Sequence, residues 1–72
     1  MRYRVYDQNR YVIGDAQTAQ KAGDMSKPGY VMVDQWGGNF PYVAWTSCPN
    51  GMGMIGHSFN SFDTAFSCAR KG

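Results

Sequence analysis

Residues Arg2 to Gly14, RYRVYDQNRYVIG, leave the chain little choice about how it begins. Two β-rich runs, Tyr3-Arg4-Val5-Tyr6 and Arg10-Tyr11-Val12-Ile13, flank Asp7-Gln8-Asn9, a triplet suited to a hairpin reversal. A three-residue loop with Asn9 in the left-handed position sets Tyr6 opposite Arg10, Val5 opposite Tyr11, Arg4 opposite Val12 and Tyr3 opposite Ile13. One face then carries Tyr3, Val5, Tyr11 and Ile13. The other carries Arg2, Arg4, Tyr6, Arg10 and Val12. A two-residue Gln8-Asn9 loop would mix arginine with hydrophobes on both faces, so the three-residue closure is favoured. Burying each apolar side chain is worth roughly 1.5–3 kcal/mol, too little for a lone hairpin, which must therefore pack against segments C-terminal to it.

With 72 residues the chain is expected to form one small domain, near the lower limit for folding on a core alone. Its hydrophobic fraction of 43% and charged fraction of 17% argue against wholesale disorder. A net charge of +2 excludes an acidic mimic of nucleic acid and does not by itself call for a nucleic-acid ligand. No apolar run reaches membrane-span length, and the arginine–tyrosine alternation at the N-terminus is unlike a signal peptide, so a cytoplasmic protein without membrane contact is expected. Met1 at the start and a helix ending at Gly72 fit a complete gene product. Cys48 and Cys68 lie outside any CxxC spacing, and His57 is the single histidine, so no zinc site is implied. The two cysteines read as free thiols. A disulfide between them, in an oxidising compartment, would add about 3 kcal/mol.

Beyond Gly14, Asp15 is placed to cap a short helix, Ala16 to Ala22, ended by Gly23. Tyr30 to Gln35 predicts a central strand apolar on both faces. Trp36-Gly37-Gly38-Asn39 predicts a turn and Phe40 to Thr46 a third sheet segment, with Pro41 marking an edge or bulge. Asn50-Gly51 is the expected reversal in Ser47 to Gly53, before a short strand over Met52 to Gly56. The last segment predicts a helix over Phe62 to Lys71. Ser61 would be its N-cap, Asp63 stands near its positive end and Arg70 and Lys71 near its negative end, and Phe62, Ala65, Phe66 and Ala69 form its apolar stripe. The class is α+β: an antiparallel sheet of four to five strands, in the order β-β-α-β-β-(β)-α, with two helices packed on one face.

Two constellations carry functional expectations. Arg2, Arg4 and Arg10 with the interleaved Tyr6 form a face able to contact an acidic protein surface, or phosphates and unpaired bases. Trp36 and Phe40, with Met52 and Met54, lie on glycine-rich segments whose residue types are favoured at protein interfaces. His57 beside Cys48 or Ser58 would need a cleft and an orienting group to support catalysis, which a domain this small rarely provides. The five aspartates are scattered, so neither a catalytic carboxylate pair nor a metal cluster is expected, and no cofactor is implied.

The sequence therefore points to a non-enzymatic module that binds a larger protein or ribonucleoprotein complex, as monomer or homodimer, and inhibits or modulates it by steric occlusion. Its size and missing chemistry suit anti-defence proteins of phages and mobile elements, such as anti-restriction and anti-CRISPR proteins. Arg2, Arg4, Tyr6, Arg10, Trp36 and Phe40 are the expected contact residues. The alternative is a small nucleic-acid-binding or transcription-modulating protein using the same basic face.

Overall fold

The computed structural model describes residues 1–71; Gly72, expected at the end of the final helix, lies outside them. Strands β1 (Tyr3–Tyr6) and β2 (Val12–Ala16) precede helix α1 (Ala19–Met25). Strands β3 (Val31–Asp34), β4 (Tyr42–Ser47) and β5 (Met54–Phe59) lead to helix α2 (Phe62–Lys71). The α+β class and the element order are as expected. All five strands form one antiparallel sheet in the order β2-β1-β3-β4-β5.

The helices lie on opposite faces of this sheet. Val31 and Met32 are consecutive in β3, so their side chains point to opposite sides. Val31 belongs with Ala44 and with Ala65, Phe66 and Ala69 of α2. Met32 belongs with Val5, Ala16 and Ala22 of α1. The expectation of two helices on one face is corrected accordingly: the double apolar character of YVMVDQ records cover from both sides.

Helix α2 begins and ends where its stripe and charges place it. The Thr64 N–H donates to Ser61 Oγ at 3.5 Å, and Asp63 and the Arg70–Lys71 pair occupy the dipole-favoured ends. Phe66 is fully buried, meeting Phe62 and Tyr6 edge-on. Helix α1 starts three residues later than expected. Thr18 caps it by accepting from the Lys21 N–H at 3.2 Å, Gly23 lies inside it, and Asp15 and Ala16 belong to β2.

The first hairpin has the expected loop length, shifted by one residue. Asp7 closes a turn by accepting from the Arg10 N–H at 3.0 Å, and its carboxylate accepts from the N–H groups of Asn9 and Tyr11. Those bonds make Asp7 the residue before the loop, and Arg10, with φ 68°, takes the left-handed position expected of Asn9. The shifted loop sets Tyr6 opposite Val12, and a bulge at Ile13 then sets Val5 opposite Gly14, Arg4 opposite Asp15 and Tyr3 opposite Ala16. Tyr11 and Ile13, expected on the packed face, are exposed, Ile13 at 43%. Small residues take their place: Gly14 lies under the end of the Met25 side chain of α1, which a Cβ there would displace.

Pro41 precedes β4 and its carbonyl accepts from the Asp34 N–H at 2.8 Å; the return bond that a proline cannot donate is replaced by the Gly37 N–H, which the Asp34 carbonyl accepts at 3.0 Å. The reversal between β4 and β5 centres on Asn50-Gly51 as expected, with the Gly51 N–H donating to the Cys48 carbonyl at 2.9 Å. Strand β5, expected over Met52 to Gly56, starts two residues later and runs on to Phe59. Cys48 and Cys68 are free thiols, both half-buried. No helix among the described residues is long and apolar enough to cross a membrane.

Candidate interaction surface around Trp36

Strand β3 ends at Asp34, and its carboxylate organises the turn beyond it. The Asp34 carbonyl accepts from the Gly37 N–H at 3.0 Å, and Oδ1 accepts from the Trp36 N–H at 3.1 Å. Gly37 and Gly38 take φ values of 87° and 118°, which only glycine adopts at little cost, so the chain turns sharply past Trp36. The indole is left 76% exposed, with Phe40 of the same loop 61% exposed.

An exposed side chain in such a loop would ordinarily be free to rotate. Here Arg2 spans the gap. Its guanidinium donates to both Asp34 oxygens, at 3.2 and 3.0 Å, and lies 4.5 Å from the centroid of the Trp36 ring. This fork-to-fork ion pair fixes the plane of the guanidinium, and the plane supports the indole. The hydrogen bond from Arg2, with help from the Trp36 N–H, holds the Asp34 carboxyl below its ordinary range. The N-terminal residues are tied to the same loop: the Gln35 N–H donates to the Arg2 carbonyl at 2.7 Å and Gln35 Nε2 to the Met1 carbonyl at 3.0 Å.

Two shallow concavities adjoin this arrangement. Met1, Arg2, Gln17 and Trp36 line one of about 320 Å³. Met1 and Gln17 also border the second, of about 570 Å³, whose far side is formed by Asp15, Lys21, Asp24 and Met25. Met1, itself exposed, stands between them. The surface thus combines projecting apolar side chains with an adjoining hollow rimmed by both signs of charge.

The six residues expected to contact a partner are distributed differently from the two groups in which the sequence presents them. Arg2 leaves the basic set and joins Trp36, with Phe40 exposed elsewhere in the same loop. Arg4 bonds Asp15 at 2.9 and 3.5 Å, and this hydrogen bond lowers the Asp15 pKa. Arg10 bonds Asp63 at 3.1 Å and lies over the Phe66 ring at 4.9 Å. Tyr6 packs edge-on against Phe62, centroids 5.0 Å apart, as part of the α2-side core. A continuous guanidinium face with a free tyrosine is therefore not formed: each arginine of that set already has a carboxylate. Reading Asp15 as a helix cap hid its role, since its pairing with Arg4 depends on the bulge at Ile13. Met1 and Gln17 carried no signal in the sequence, because the fold alone brings them beside Trp36.

Among the described residues no three His, Cys, Asp or Glu side chains are gathered as a metal site would require. His57 Nε2 lies 3.0 Å from Thr46 Oγ1, a contact between β4 and β5 on the α2 side of the sheet. No protein-family model, curated protein or solved structure matches this chain.

Proposed function

We propose that this protein is a non-enzymatic binding module that covers a surface of a larger protein, with Trp36 as the anchor, Met1 beside it and Phe40 exposed in the same loop. The observation that carries the reading is the indole of Trp36, which is exposed to water while the Arg2 guanidinium, itself bonded to Asp34, lies over its ring. Leaving a large aromatic ring in water forgoes apolar burial that a domain this small can use. Holding it in one orientation lowers the ordering cost of association, and tryptophan is enriched among residues that dominate interface energies. A rigid anchor beside a hollow of mixed charge suits a folded protein surface.

The mode of action is steric: a chain of this size occupies a site on a larger complex and so inhibits or modulates it, as anti-restriction and anti-CRISPR proteins of mobile elements do. The nucleic-acid alternative draws less support, because Arg2, Arg4 and Arg10 are paired with Asp34, Asp15 and Asp63. Releasing them to meet phosphates would expose those three carboxylates to the same backbone.

The test is capture from a nuclease-treated lysate of the source cells by immobilised wild type and by Trp36→Ala. A protein retained by the wild type and lost with Trp36→Ala supports the proposal. No protein retained from the treated lysate, with nucleic acid retained from an untreated one, contradicts it.

A further inference from the structure

The two edges of the sheet are built differently. Strand β2 is bulged at Ile13 and carries Asp15, both devices that discourage pairing with another strand. Strand β5, Met-Ile-Gly-His-Ser-Phe, has no Lys, Arg, Asp, Glu or Pro, and its register with β4 is unbroken over Met54 to Phe59. Among the described residues nothing pairs with its outer side.

The hydrogen-bonding positions on that outer side are fixed by the inner ladders. The Asp34 N–H donates to the Pro41 carbonyl and the Trp45 N–H to the Tyr30 carbonyl, so residues 41, 43 and 45 turn their backbone groups toward β3. Alternation then directs Tyr42, Ala44 and Thr46 toward β5, where they face Phe59, His57 and Ile55. The Cys48 N–H bond to the Gly53 carbonyl, at 3.1 Å, fits the same phase. Met54, Gly56 and Ser58 are therefore the residues whose N–H and C=O groups point outward.

We infer that β5 is a homodimerisation edge, pairing antiparallel with β5 of a second copy about a two-fold axis through Gly56. In this register Gly56 meets Gly56 and Met54 meets Ser58 on both sides of the axis. All the outward groups are satisfied, with two hydrogen bonds at the axis and two more at each flanking pair. A shift that centres the axis on His57 leaves Met54 facing Asn60, beyond the strand. A second copy is the fitting occupant because the row of outward groups is symmetric about Gly56 and carries no charge, so the axis brings no like charges together. Ile55, 38% exposed, comes to lie beside the second copy's His57. The product is one continuous ten-stranded sheet with a Trp36 loop at each of two opposite ends, a symmetric, isologous contact.

Sedimentation equilibrium of the purified protein, from about 5 μM to 1 mM, tests this. The expected mass rises from 8.0 kDa toward twice that value. Ile55→Lys, at an exposed position, and Ser58→Pro, which deletes only an outward N–H, should each weaken association at least tenfold while circular dichroism shows the fold retained. Met54→Lys alone should also weaken it, and adding Ser58→Glu in the same chain should restore it, because the register places these residues across the axis. A protein that stays monomeric at 1 mM, a dimer indifferent to Ile55→Lys, or a failure of Ser58→Glu to rescue Met54→Lys overturns the proposal.

Discussion

Arg2 lies 4.5 Å from the centroid of the Trp36 ring while bonding both oxygens of Asp34. The relationship separates two properties that usually travel together, exposure and mobility. Because the ion pair is at the surface, solvent screening leaves it little weight in the stability of the fold. Arg2→Ala is therefore expected to leave the unfolding midpoint almost unchanged and to free the indole. Fluorescence anisotropy decay, in a Trp45→Phe background so that Trp36 alone reports, should show a fast component that Arg2 suppresses. An unchanged decay would mean that Arg2 does not restrain the ring.

The pH dependence has a definite sign. Asp15 and Asp34 are both held below their ordinary value of 3.8 by hydrogen bonds from Arg4 and Arg2. Depressed carboxyl values contribute stability that is present above the unfolded-state pKa and lost as pH falls through the folded-state pKa. Urea midpoints should thus be flat from pH 7 to 5 and decline below about pH 4. Asp15→Asn with Asp34→Asn should reduce that decline. An equally steep decline in the double variant would place the acid sensitivity elsewhere.

Arg10 offers an inverted substitution order. A left-handed conformation costs a residue with a Cβ roughly 1–2 kcal/mol, which glycine avoids. Arg10→Gly and Arg10→Ala both lose the Asp63 bond and the contact with Phe66, so the backbone alone distinguishes them. Arg10→Gly should be the more stable of the two by about 1 kcal/mol in chemical denaturation. Equal stability would argue against the positive φ at this position.

Gly56 makes room for the Trp45 indole. A Cβ there would lie 3.1 Å from both Trp45 Cζ3 and Val43 Cγ1, tighter than ordinary contact. Gly56→Ala should cost about 1–3 kcal/mol through overpacking, read in thermal unfolding of dilute protein. A neutral or stabilising result would show that the indole moves aside freely.

Legibility in the sequence varied with the range of the interaction. Helix α2 was readable to the residue because its stripe, its Ser61 cap and its end charges are all local and agree. The hairpin register was not, because Asp7 captures the N–H groups of Asn9 and Tyr11 and so moves the loop by one residue. That step and the Ile13 bulge carried Asp15 from an expected helix cap to a place opposite Arg4. The arginines of the basic set are paired rather than free, and only the Arg4–Asp15 pair depends on that shift and bulge. Arginines that alternate along a strand meet carboxylates from residues 15, 34 and 63, a pairing only the tertiary fold creates. Trp36 was legible as a residue of a glycine-rich turn, whereas Phe40, expected to open the third sheet segment, stays exposed in the loop because β4 starts only at Tyr42.

The central claim, that Trp36 anchors a protein partner, is tested most directly by titrating the captured partner with wild type, Trp36→Ala and Arg4→Ala, using calorimetry. Loss of an anchoring tryptophan costs at least about 2 kcal/mol, a Kd raised roughly thirtyfold or more, while Arg4→Ala should bind within about twofold of wild type. Equal affinity for wild type and Trp36→Ala, with binding lost in Arg4→Ala, would contradict the account and return the contact to the arginine-bearing strand.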